Sequence, residues 1–138
     1  MRAILLVVTV LMFISGEVYG ANALRQLNWR RAQVGLPAYK ADAKLQAAAE
    51  RSARAQARRG SMFHNSHIGN RSGVGMTSQN DPQGRRFHTC YSMGRGTAWA
   101  GAAAVVGRNG RTYYSLDLRN SPSGNTFGQR CGKCGRIH

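Results

Sequence analysis

The sequence predicts a small α+β fold: two N-terminal helices, a short third helix and a C-terminal β-hairpin in a small antiparallel sheet. Three observations carry this. Apolar residues recur at helical spacing over 21–34 and again over 41–59. Two β-prone runs, Ala98–Val106 and Arg111–Leu118, flank Gly107-Arg-Asn-Gly110, a strong hairpin signal. The strongest helix breakers, Gly35-Leu-Pro37 and Gly60, fall between the periodic segments and not inside them.

The chain begins with a basic Arg2, an apolar run Ala3–Ile14 and a small-residue stretch ending Val18-Tyr-Gly20. That pattern is a secretory signal peptide. The run is shorter than the ~20 residues that span a bilayer, which disfavours the alternative of an uncleaved anchor. The expected organisation is therefore a signal over 1–20, one small domain over 21–119 and a flexible, Gly-rich basic tail over 120–138. The expected location is extracellular or periplasmic, with no transmembrane segment after cleavage.

The first helix sets Leu24, Leu27 and Val34 on one side and Arg25, Arg30 and Arg31 elsewhere. The second helix is more regular. Leu45, Ala48, Ala49, Ser52 and Gln56 share a face, and Lys44, Arg51, Arg54 and Arg58 form a basic stripe opposite. Asp42 suits the positive end of the helix dipole, and Arg58 and Arg59 suit the negative end. Glu50 can pair with Arg54 one turn on. Its Ala-rich face is a surface for close packing. The segment 65–75 reads as loop or irregular strand, and Asp81-Pro82 as the start of the short third helix, through His88 and Tyr91. Asp117 lies in a strand, where an Arg is its expected partner. Trp99, Tyr113 and Tyr114 read as core or pocket wall.

The chain has 138 residues, 20 basic and 5 acidic, and a formal charge of +15. Only Asp42, Glu50, Asp81 and Asp117 carry acid beyond the signal. Such a charge attracts polyanions such as anionic lipid head groups, acidic polysaccharide or nucleic acid, and the expected partners are an anionic lipid, a cell-envelope polymer or a protein. It also suits a simple solvated basic surface. Basic and aromatic residues are not interleaved as a nucleic-acid platform requires, so no specific nucleic acid is expected. Three Cys are present: Cys90, Cys131 and Cys134. Cys131-Gly-Lys-Cys134 is a disulfide candidate, with metal and redox readings also open. No nucleophile elbow surrounds Ser52, Ser61 or Ser66, and no phosphate loop with a Lys occurs.

Several of these residues fall together in a recognisable order. Leu27-Asn28-Trp-Arg-Arg31, Gly35-Leu-Pro37, Asp42, Leu45, Ala49, Ala53, Ala57, Gly60, Phe63 and His64 resemble the opening half of a CAP domain. This is the superfamily of cysteine-rich secretory proteins, antigen 5 and pathogenesis-related 1 proteins, also called the SCP domain. The hairpin 98–118 is similar to the family's closing strands. The resemblance spans roughly 22–119 and looks like a divergent, bacterial-like branch. It implies an α-β-α sandwich, secretion and, in some members, a lipid-binding groove. It also implies a cleft of two His and two acidic residues, of which His64 matches the first His. The segment where Gly-Glu-Asn is expected reads Ser72-Gly-Val-Gly-Met-Thr-Ser78, and no Glu follows Glu50.

His64, His67 and His88 are thus the candidate ligands for a divalent metal such as Zn. Without a carboxylate such a site lacks the usual general base of a hydrolase. The alternative for His64 is a hydrogen bond to a nearby loop. Three functions are compatible: a non-catalytic binding domain using Lys44, Arg51, Arg54 and Arg58 against an anion, a His-dependent metal hydrolase or protease, and a cationic polyanion-binding or antimicrobial protein.

Overall fold

The computed structural model describes residues 20–65, 67–77, 89, 91–92 and 94–119. The expected signal (save Gly20), residues 81–88 of the expected third helix, all three Cys and the tail lie outside them, while Tyr91, the expected end of that helix, sits in a turn with a left-handed backbone (φ 65°). The element order is α1 (Gly20–Gln33), β1 (Lys40–Ala41), α2 (Ala43–Arg59), β2 (Arg71–Met76), β3 (Trp99–Val106) and β4 (Thr112–Arg119). The strands form one sheet in the order β1-β3-β4-β2. β3–β4 is the expected hairpin and β2–β4 is also antiparallel, but β1 runs parallel to β3, so the sheet is mixed. A two-residue strand carries no periodicity from which a sequence could announce it.

The core divides by the parity of β3. Ala100, Ala102 and Ala104 pack with Ala23, Leu24 and Leu27 of α1 and with Tyr114, Leu116 and Leu118 of β4. Ala103 and Val105 pack with Ala49, Ala53 and Ala57 of α2 and with Tyr113. Alternate strand residues point to opposite sides, so α1 and α2 cover opposite faces of the sheet. A strand covered on both faces must be apolar throughout, which is why β3 reads Ala-Gly-Ala-Ala-Ala-Val-Val without alternation. Small side chains on β3 meet small side chains on α2, so the backbones come close. A Cβ on Gly101 would overlap the backbone of Leu45 and Gln46.

The edge of β3 beyond β1 is covered by a side chain. The Gln46 amide donates to the Ala102 carbonyl (2.9 Å) and accepts from its N–H (3.1 Å). Gln46 thus continues the strand that β1 begins, and covers the β3 edge as far as Ala102.

Both helices end as their sequences direct. The α1 helix stops at a left-handed Gly35 (φ 71°), with the Leu36 N–H on the Arg31 carbonyl. At the start of α2, the Asp42 carboxylate accepts from the N–H groups of Lys44 and Leu45. Gly60 closes α2, also left-handed (φ 71°), its N–H on the Gln56 carbonyl. Asp42 also pairs with Arg119 of β4, joining the helix cap to the sheet. The Leu45 N–H above all, with Arg119 in support, holds the Asp42 carboxyl below its ordinary range. Its contribution is therefore present above the usual carboxylate pKa and is lost as pH falls through the depressed one. Asp42→Ala should destabilise the fold at neutral pH, through loss of the helix cap. Urea unfolding at pH 7 and at pH 2 checks this, because the difference between the two proteins should shrink at the lower pH.

Two residues of α1 depart from the helical-wheel expectation. Val34 lies past the end of the helix and is exposed. Arg31 is fully buried, although it was placed off the apolar side. Its Nε donates to Pro37 O (2.9 Å), Nη1 to Ser92 O (3.0 Å) and Gly94 O (2.9 Å), and Nη2 to Gly96 O (2.7 Å). The guanidinium lies 3.6 Å from the centre of the Tyr39 ring. Tyr39 in turn donates its hydroxyl to Tyr91 O (2.7 Å), and burial pushes its pKa up to about 12. Burial likewise lowers the pKa of Arg31. One side chain therefore binds α1 to the turn after it and to the 92–96 loop.

Candidate anion-binding groove

The α2 helix presents the four residues of the expected basic stripe, Lys44, Arg51, Arg54 and Arg58, all exposed. The opposite face, with Leu45, Ala48, Ala49, Ser52 and Gln56, is buried as expected. The stripe is not uniform. Arg54 and Arg58 border an open groove of about 270 Å³ with Ala57, Val105, Val106, Gly107 and Arg108. Lys44 and Arg51 lie outside its lining, toward the start of the helix.

Arg108 comes from the β3–β4 turn, and local chemistry puts it there. Gly107 donates to the Arg111 carbonyl (2.8 Å), and Gly110 to the Gly107 carbonyl (3.0 Å). Asn109 donates from Nδ2 to the Tyr113 hydroxyl (2.7 Å) and accepts at Oδ1 from the Arg111 N–H (3.2 Å). At Gly107 the turn runs against the end of α2, where a Cβ would stand 3.1 Å from the Ala57 carbonyl and 2.8 Å from the Tyr113 ring. The absence of a side chain there lets Arg108 stand beside Arg54 and Arg58.

Three arginines therefore line one groove together with the apolar Val106, which is 40% exposed. Among the described residues, Arg54 pairs with the Glu50 carboxylate, 3.8 Å away in an exposed i,i+4 pair. Such pairs are weak and screened, so Arg54 can turn to a competing anion at small cost. A planar guanidinium binds sulfate, phosphate or carboxylate oxygens two at a time. From Arg58 back to Lys44 the stripe runs fourteen residues, about 21 Å at 1.5 Å per residue, so it suits an extended polymer.

The histidines form a different arrangement. The exit from α2 is held by Arg59, stacked 4.9 Å from the Phe63 ring centre. His64 Nδ1 then lies 3.3 Å from Ser72 Oγ on β2. His67 is exposed, at the rim of a crevice of about 200 Å³ between α2, β2 and β4. That crevice has no room for a water-sized sphere. Its carboxylate, Asp117, is committed: it accepts from the N–H groups of Ile68 (2.9 Å) and Gly69 (3.0 Å). The expected Arg partner of Asp117 is replaced by the backbone of the 68–69 turn. Gly69 runs so close to β4 that a Cβ would overlap Leu118 O and Asp117 Oδ1. Among the described residues, no group of three His, Cys, Asp or Glu side chains could hold a metal ion. His88, the third candidate ligand, lies outside them, as do Cys131 and Cys134. Tyr113 and Tyr114 are core, as expected, while Trp99 is 41% exposed at the start of β3.

Sequence reasoning found two of the three groove arginines and missed Arg108. The hairpin turn was legible, but its position against the end of α2 depends on tertiary packing. The sequence matches no protein-family model and no curated protein.

Proposed function

We propose that this chain is a secreted, CAP-like domain that acts by binding an extracellular or envelope polyanion, without catalysis. The observation that carries the reading is the convergence of Arg54, Arg58 and Arg108 on one open groove, continued by Arg51 and Lys44 along α2. Two elements distant in sequence supply the charge, so the fold, and not composition alone, assembles the site. The CAP likeness draws support from a helix on each face of a small mixed sheet, and from the Phe63-His64 pair placed just past a Gly-capped helix. Binding is favoured over hydrolysis because His64 meets a hydroxyl, Ser72, and the carboxylate of the nearby crevice is consumed by backbone N–H groups.

Because the contact is electrostatic, affinity for a sulfated polysaccharide should fall steeply with salt, by roughly an order of magnitude or more between 50 and 200 mM. Because the groove depends on packing, protein held unfolded at the same ionic strength should bind more weakly. Isothermal titration with dextran sulfate, native and urea-unfolded, measures both. Equal affinity in the two states would mean that charge alone accounts for binding and would remove the groove from the account.

A further inference from the structure

A second surface lies on the opposite side of the sheet, at the end of α1. Trp29, Val34 and Leu36 form a shallow groove of about 500 Å³ with Gln33, bordered by Arg30 and Arg95. Trp29 is 65% exposed and Val34 64%, although both are large and apolar. Among the described residues, no acidic side chain lines this groove. An exposed apolar group rimmed by cations calls for a partner that is negative at its surface and apolar beneath.

We propose that this patch docks the protein onto an anionic lipid bilayer, with Trp29 and Val34 entering the headgroup region and Arg30 and Arg95 meeting lipid phosphates. Tryptophan suits that depth, since its ring is apolar and its N–H stays near water. Each Arg near an anionic leaflet adds attraction, while its methylene stem can lie along the apolar boundary. A protein partner fits less well. Three apolar side chains fall short of the roughly 800 Å² per partner of a stable protein interface, yet they suffice for reversible attachment to a surface. The patch is distinct from the arginine groove, so lipid and polymer contacts can be lost separately.

The chain has two Trp, so Trp99→Phe leaves Trp29 as the sole reporter. Vesicles of equimolar phosphatidylcholine and phosphatidylglycerol, with bromine on the acyl chains, should quench Trp29 emission. Vesicles of brominated phosphatidylcholine alone should quench it far less. In the full chain with both Trp, the pair Trp29→Ser and Val34→Ser should weaken partition into the anionic vesicles roughly tenfold or more, with dextran sulfate affinity unchanged. Both side chains are mostly exposed, so their replacement leaves the core intact. Unquenched Trp29 on anionic vesicles would overturn the proposal and leave the patch to an acidic protein segment. Equal quenching on both vesicle types, or unchanged partition of the double variant, would overturn it too.

Discussion

Replacing Arg31 by Ala is expected to lower the unfolding free energy by about 4 kcal/mol, since several buried carbonyls lose a charged donor at roughly 1–3 kcal/mol each and some regain water. A domain of this size typically has only 5–15 kcal/mol in total, so the variant should be marginal at 37 °C. The physical reason is the number of groups that lose a donor at once. The carbonyls of Pro37, Ser92, Gly94 and Gly96 all depend on one guanidinium, and Tyr39 loses the cation over its ring. Arg31→Lys should recover less than half of the loss. A lysine has three donors at a single point and cannot span carbonyls spread around a planar fork. Urea midpoints of the three proteins measure this. Hydrogen exchange should localise the damage to the 92–96 loop and to Tyr39, sparing α2. A loss below about 1 kcal/mol would mean that the carbonyls rehydrate readily and that Arg31 is not what holds this loop.

Gly101→Ala is expected to cost roughly 3 kcal/mol, an unusually large effect for one added methyl group. A Cβ there would overlap the backbone of Leu45 and Gln46, and backbone cannot rotate aside as a side chain can. The first turn of α2 would have to lift from the sheet. That movement would also strain the two hydrogen bonds between Gln46 and Ala102, and with them the cover on the β3 edge. Gly110→Ala is the natural comparison. Gly110 has a left-handed backbone (φ 74°) but open space around it, so the same methyl should cost only about 1–2 kcal/mol of backbone strain. Thermal unfolding of both variants separates the two causes. If Gly110→Ala were the more damaging, close approach of α2 to β3 would not be the controlling feature.

These two positions also mark where the sequence could be read and where it could not. The limits of α2 were legible because they are local: Asp42 satisfies its first N–H groups and Gly60 adopts the left-handed closure. The hairpin was legible for the same reason, since its turn residues specify its geometry. The β3 run was read only as one arm of the hairpin; that helices cover it on both faces, which is what crowds Gly101, emerged from the packing. Arg31 was not legible. On a helical wheel it belongs with the polar residues, and its carbonyl partners in the 92–96 loop are more than 60 residues away. Asp117 was misread in the same way, because the expectation that an acid seeks an Arg ignores the stronger demand of two unpaired N–H groups in a turn. Arg108 went unnoticed because turn chemistry fixes the shape of a hairpin end but not what that end packs against.

The central claim is that the groove of Arg54, Arg58 and Arg108, and not the overall charge, confers polyanion binding. A comparison at constant net charge tests it most directly. One variant carries Gln at Arg54, Arg58 and Arg108. The control carries Gln at Arg25, Lys40 and Arg59, three exposed basic residues outside both grooves. Affinity for dextran sulfate is measured for both at 150 mM salt, with circular dichroism to confirm that each is folded. The groove variant should bind at least about tenfold more weakly than the control, the equivalent of roughly half a kcal/mol per lost guanidinium contact. Equal affinities would show that the polymer reads only the total charge, and the groove would then have no part in binding.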